Sequence, residues 1–183
     1  NRIIGLDYRL ASVDNTWVGK YFLHKSFTQG VKDKNYSAGF STQYFNRDFN
    51  VRLSGVYVGD NYESDLGFLR RTDIFKITPK IVRTFWPIES AIQKHSFSIT
   101  PIFIWKPDLN FKNSDYAVIS RWQANFKNTG EFTAEMYNRF TYLFSTFDPT
   151  GTDGAIALPI DSSYKYTTVS LGYRSDKRKT LSY

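Results

Sequence analysis

Two runs of residues decide the fold: D-Y-A-V-I-S-R-W-Q-A-N-F at Asp115–Phe126 and E-F-T-A-E-M-Y-N-R-F-T-Y-L-F at Glu131–Phe144, joined by K-N-T-G at Lys127–Gly130. In the second run Phe132, Ala134, Met136, Phe140 and Tyr142 alternate with Glu131, Thr133, Glu135, Arg139 and Thr141. A period of two sends successive side chains to opposite faces, as in a strand with one apolar and one polar side. The joining residues have turn chemistry, so the two runs read as a hairpin. With Gly130 in the left-handed position, Lys127 faces Glu131. Trp122 then faces Met136, Val118 faces Phe140, and Arg121 lies diagonal to Glu135.

The alternation continues in both directions. Strands are expected at Arg2–Ser12, Thr16–Phe27, Asn35–Phe45, Phe49–Val58, Thr72–Trp86, Gln93–Trp105 and Ser163–Arg174, with a tenth beginning near Arg178. Strands of soluble domains have a mode of ~5–6 residues, whereas a tilted strand crossing a bilayer needs ~9–11. In Thr72–Trp86, Phe75, Ile77, Pro79, Ile81 and Phe85 oppose Lys76, Thr78 and Lys80; in Ser96–Trp105, Phe97, Ile99, Pro101, Phe103 and Trp105 oppose Ser96, Ser98 and Thr100. The matching I-T-P triplets ending at Pro79 and Pro101 remove an N–H near mid-strand, which predicts a bulge or an unpaired carbonyl at each. Aromatics near strand ends (Tyr8, Trp17, Tyr57, Trp86, Trp105, Tyr116, Phe144) suit interfacial girdles.

Short links at Val13–Asn15, Asn46–Asp48, Pro87–Ile92, Lys127–Gly130 and Ser175–Lys177 alternate with longer ones at Thr28–Lys34, Gly59–Arg71, Lys106–Ser114 and Ser145–Ser162. Short periplasmic turns and long extracellular loops have this asymmetry in outer-membrane barrels. The expected fold is therefore all-β: an antiparallel up-and-down transmembrane β-barrel in the cell outer membrane, with about nine to ten strands present. Residues 1–183 form one barrel region without a separate soluble domain. The chain opens at Asn1 with neither Met nor signal peptide, and the first strand would run inward from the outside. Both features suggest an internal part of a longer barrel, with N-terminal and C-terminal parts of the same chain missing.

Composition narrows the chemistry. With Cys 0 there is no disulfide, thiolate metal site or cysteine nucleophile. No run of ~18–20 apolar residues offers a spanning helix. The 24 Lys+Arg against 17 Asp+Glu leave +7, which permits an anionic partner.

The opening N-R-I-I-G-L-D-Y-R-L, the loop E-S-D-L-G-F-L-R-R-T-D (Glu63–Asp73) and the closing F-D-P-T-G…A-I-A-L-P-I-D-S-S-Y-K-Y…S-D-K-R carry a resemblance. They look like an uncharacterised family of large outer-membrane barrels found downstream of domains similar to family 9 carbohydrate-binding modules. The most distinctive element is G-F-x-R-R-x-D at Gly67–Asp73. The resemblance implies a barrel in the outer membrane, and glycan handling only by association with a domain not present here; it carries no catalytic residues over.

Candidate chemistry is sparse. His24 and Ser26 share a strand face in an H-x-S spacing similar to that of outer-membrane phospholipase A, so a barrel lipid hydrolase is an alternative. Asp60, Glu63 and Asp65, and Asp148 with Asp153, are loop acids without EF-hand spacing, so no metal is expected. Nucleic-acid binding wants cations and aromatics on one face. Here Lys76 and Lys80 oppose Phe75 and Ile81, and Arg121 opposes Trp122, so no nucleic-acid partner is expected. Lys25, Lys32, Lys34, Arg70 and Arg71 are candidates for lipopolysaccharide phosphates. The leading expectation is a non-catalytic pore, transporter scaffold or anchor for a surface or glycan-binding module, without a cofactor. Its lumen would be lined by Arg9, Lys20, Arg52, Lys76, Lys80, Arg121 and Arg139 against Asp7, Glu131 and Glu135, favouring anionic solutes. The other alternative is a soluble secreted β-sandwich or barrel binding glycans through Trp17, Trp86, Trp105 or Trp122.

Overall fold

The structure, a computed structural model, describes residues 2–64, 71–152, 154–176 and 178. Among these residues nine strands follow one another: β1 (Arg2–Ala11), β2 (Trp17–Phe27), β3 (Tyr36–Phe45), β4 (Phe49–Val58), β5 (Ile74–Phe85), β6 (Ile92–Lys106), β7 (Lys112–Phe126), β8 (Glu131–Tyr142) and β9 (Ser163–Arg174). They pair in chain order as one antiparallel meander. The all-β expectation holds. Among the described residues the expected closure does not appear, because β1 is bonded to β2 and β9 to β8 without pairing to each other. Except for Arg178, the expected tenth strand lies outside the described residues.

Strand ends differ from expectation mainly between β6 and β7. Both strands run further than the alternation indicated, so the expected long link Lys106–Ser114 shrinks to 107–111. A 3-10 turn at Pro107–Leu109 and two consecutive left-handed residues, Asn110 (φ 53°) and Phe111 (φ 54°), reverse the chain there. This link is no longer than 86–91, so the regular alternation of short and long connections breaks at this point.

The β7–β8 register is also corrected. Trp122 faces Ala134, Ser120 faces Met136, Tyr116 faces Phe140, and Arg121 directly faces Glu135. The turn accounts for the two-residue slip. Phe126 N–H donates to Gly130 O (2.9 Å) and Thr129 N–H to Phe126 O (2.9 Å), so the loop is 127–129. Thr129, not Gly130, takes the left-handed backbone (φ 69°). An even slip keeps every side chain on its expected face.

The prolines face each other. Pairing between β5 and β6 stops after Ile77↔Phe103 and resumes at Ile81↔Ile99 in the same register, which sets Pro79 across from Pro101. Both bonds such a facing pair would exchange need a proline N–H, so three pairs are lost together. Neither proline makes a bulge: Leu53↔Pro79 and Pro101↔Val118 sit in continuous ladders, and the β6–β7 irregularities lie at Ile92/Lys94 and Ile104/Trp105.

The register joins all apolar faces into one. Leu6, Leu23, Ala38 and Tyr57 run from β1 to β4, and Ile81, Ile99, Ser120, Met136 and Val169 from β5 to β9. Bare backbone on the sheet is covered by neighbouring rings: a Cβ on Gly39 would lie 2.5 Å from Phe22 Cε1, and one on Gly55 2.5 Å from Phe40 Cε1. Among the described residues no second layer packs on the apolar face. Among the described residues the buried hydrophobics are Val58, Tyr62 and Ala124, while Leu6 is 74% exposed, Ile81 48% and Leu171 70%. A water-soluble domain buries such a face against another layer.

Candidate functional site

The opposite face carries most of the strands' carboxylates and cations. Arg9 stands across from Lys20, Arg52 across from Lys80, and Arg121 across from Glu135. Lys76, Glu131 and Arg139 lie an even number of residues from these on their own strands, so the register brings all nine expected lining residues to one face. Asp7 joins them, two residues before Arg9.

On β7–β9 this face is cross-linked. Arg121 pairs with Glu135, which also accepts the Tyr137 hydroxyl at 2.6 Å. Arg174 Nη2 donates to Glu131 Oε1 at 2.7 Å, and Asn125 Nδ2 to Glu131 Oε2 at 3.2 Å. Arg139 stacks over Tyr137 (4.7 Å) and Tyr166 (5.7 Å), and among the described residues no carboxylate pairs with it. It borders a hollow of about 550 Å³ lined also by Lys76, Ile102, Ala117 and Tyr166.

The loop end of the sheet is tied together by polar groups. Lys34 Nζ meets Asp108 Oδ2 at 2.5 Å, a bond that raises the lysine's pKa above its ordinary value. Buried Asp73 accepts from the Asp108 N–H (3.0 Å) and from Lys106 Nζ (3.4 Å), and Arg71 Nη1 donates to Asp115 Oδ2 at 2.7 Å. Two of the cations considered for lipopolysaccharide, Lys34 and Arg71, are thus occupied by carboxylates. Lys25 lies over Phe27 at 5.6 Å, and Arg70 is outside the described residues.

The other candidates do not converge. Ser26 is fully buried, donating to Asn35 O (3.3 Å) and accepting the Glu63 N–H (3.3 Å), while His24 Nε2 bonds Asp7 Oδ2 at 3.2 Å. Their hydroxyl and imidazole therefore serve different partners. Asp60 accepts from Thr72 and Glu63 from Thr28; Asp148 accepts from Thr150, which lowers its pKa. Asp65, Asp153 and most of the Gly67–Asp73 element lie outside the described residues.

Three of the four tryptophans sit on the apolar face: Trp17 against Tyr44 (5.0 Å), Trp105 against Phe75 (5.7 Å), and Trp122 between Phe97 (6.2 Å) and Phe132 (5.6 Å). Trp86, just past β5, is flanked by Arg47 (5.1 Å) and Lys94 (5.7 Å). Sequence reasoning placed Asp73 only as the end of the Gly67–Asp73 element and Asp7 only as a lining residue; the bonds of Asp73 to Lys106 and Asp108 and of Asp7 to His24 have no spacing signature, because only the register and the loop packing bring these partners near.

The described residues thus form a single-layered antiparallel meander with one continuous apolar face and one face rich in charge. Comparisons with family models, with curated proteins and with solved structures returned no match.

Proposed function

We propose that this chain forms part of an outer-membrane β-barrel and is non-catalytic, serving as a pore, transporter scaffold or anchor for a surface or glycan-binding module. The observation that carries the reading is the apolar face. It runs unbroken from β1 to β9, nothing among the described residues covers it, and charged residues on it such as Arg2, Lys25, Arg83 and Lys165 keep to the outer parts of their strands. Arg83 is anchored beside Asp48 at 3.7 Å and over the Phe49 ring at 4.1 Å. An arginine at the bilayer midplane costs ~2–4 kcal/mol, a cost that Arg52 and Arg121 avoid on the other face.

Rings also divide by depth. Trp17–Tyr44 and Trp122–Phe132 lie toward the short-turn end, and Tyr36–Tyr57 and Tyr116–Phe140 toward the loop end, with aliphatic residues such as Leu53, Ile81 and Met136 between. Such paired girdles support a membrane-spanning sheet. β1 and β9 run in the same direction, so closing the sheet with antiparallel pairs alone takes an odd number of further strands. The anchor role rests on the resemblance to barrels carried behind carbohydrate-binding domains. A soluble glycan-binding sandwich would need a second layer over the apolar face, and a lipid hydrolase would need Ser26 released from Asn35.

Spin labels at Ile81→Cys and Lys80→Cys in the full chain, reconstituted in lipid, test the reading. Collision with oxygen should dominate at position 81 and with a water-soluble nickel chelate at position 80. Equal access of the nickel chelate to both positions would overturn it.

A further inference from the structure

Charge divides the polar face into two regions. On β7–β9, Arg121 and Arg174 each meet a carboxylate. On β1–β5 cations meet cations: Arg9 directly faces Lys20, Arg52 directly faces Lys80, and Lys76 projects from the same face four residues from Lys80. Among the described residues none of these five has a carboxylate partner. The only carboxylate on this face within β1–β5, Asp7, is taken by His24 at 3.2 Å. Arg52 leans on the Gln43 oxygen at 3.2 Å, and Gln43 turns its amide to Asn50 at 2.9 Å.

Directly opposed like charges are destabilising, since facing Cβ atoms lie only ~4.5–5.5 Å apart. Two such pairs on one face leave a positive field that an anion would neutralise. The pairs are separated by β3, which contributes Ser41 next to Lys20 and Gln43 next to Arg52. At ~4.8 Å per strand, the β1/β2 pair lies on the order of 14 Å from the β4/β5 pair. One phosphate or carboxylate cannot bridge that distance, but an extended ligand with repeated oxyanions can, and arginine favours oxyanions through its planar fork.

We infer that the β1–β5 part of the polar face binds an extended polyanion, its oxyanion groups lodged between Arg9 and Lys20 and between Arg52 and Lys80. The inference rests on the proposed hydrated interior and gives it a ligand class.

The test uses the full chain in detergent, titrated with a linear polyphosphate about ten phosphates long and, separately, with hexagalacturonate, each long enough to reach both pairs, at constant ionic strength set by NaCl. Binding is expected, weakened at least tenfold in Lys20→Gln/Lys80→Gln and by less than twofold in Lys127→Gln/Lys165→Gln, which removes the same charge elsewhere. The tighter of the two probes distinguishes phosphate from carboxylate chemistry. Without ligand, Lys20→Gln/Lys80→Gln should raise the thermal midpoint, because it relieves two repulsions. No binding of either probe above the NaCl background, or equal weakening in both double variants, would overturn the inference. The spin-label result is independent. A polyanion site on a protein whose Ile81 is open to the nickel chelate would keep the site and discard the barrel.

Discussion

Arg121 on β7 and Glu135 on β8 stand directly across the ladder and form an ion pair, with the Tyr137 hydroxyl capping the same carboxylate at 2.6 Å. Glu135→Gln leaves the guanidinium and the hydroxyl without their anion. Urea unfolding in detergent should show a loss of about 1–2 kcal/mol. A double-mutant cycle with Arg121→Gln should return a coupling of about 1 kcal/mol. A coupling indistinguishable from zero would mean that the pair merely decorates the ladder.

The hairpin register can be read by cross-linking. Cysteines at Trp122 and Ala134 occupy directly facing positions, whereas Trp122 and Met136 are offset by two residues. Facing Cβ atoms fall near the ~3.5–4.5 Å that a disulfide needs, and diagonal ones do not. Oxidation should therefore link 122 to 134 faster than 122 to 136. The opposite order would restore the register in which Lys127 faces Glu131.

Pro79 and Pro101 leave a gap in the β5–β6 ladder. Pro79→Val supplies one donor across the gap, and the double substitution with Pro101→Val supplies two. Each restored bond should add about 0.5–1.5 kcal/mol and create a newly protected amide at the substituted position. Hydrogen exchange reads this directly; fast exchange at both new amides would show that the gap does not come from the missing N–H groups.

Beyond β9, Asp176 joins two turns: it accepts from Arg178 Nη2 (2.8 Å) and from Thr129 Oγ1 (2.7 Å). The Arg178 side chain, its backbone N–H and then Thr129 hold this carboxyl far below the ordinary carboxylate range. A depressed folded pKa contributes stability above the unfolded value near 4, and that contribution disappears as pH falls through the folded value. The clasp should therefore remain charged at pH 4 and open only well below it. In Arg178→Ala the carbon-13 titration midpoint of Asp176 should move up toward the ordinary range; an unmoved midpoint would show that Arg178 is not the cause.

Alternation by itself determined a great deal. With a period of two, the choice of Phe132, Ala134 and Met136 against Glu131, Thr133 and Glu135 already assigns the two faces, and every expected lining residue lies where that period puts it. Parity survives any even slip, which is why the faces were legible while the β7–β8 register was not: hydrophobic pattern is blind to a shift of two. That register was decided by the turn, where Thr129 accepts the left-handed backbone and Gly130 begins the strand pairing. The 107–111 link was misread for a related reason, since consecutive left-handed residues at Asn110 and Phe111 let the strands run on through polar sequence that resembled a loop. Only tertiary pairing could set Pro79 across from Pro101, Asp7 beside His24, or Arg9 and Arg52 across from lysines. These are relations between strands, and a residue's own neighbours in the chain carry no record of which residue lies 5 Å away across the sheet.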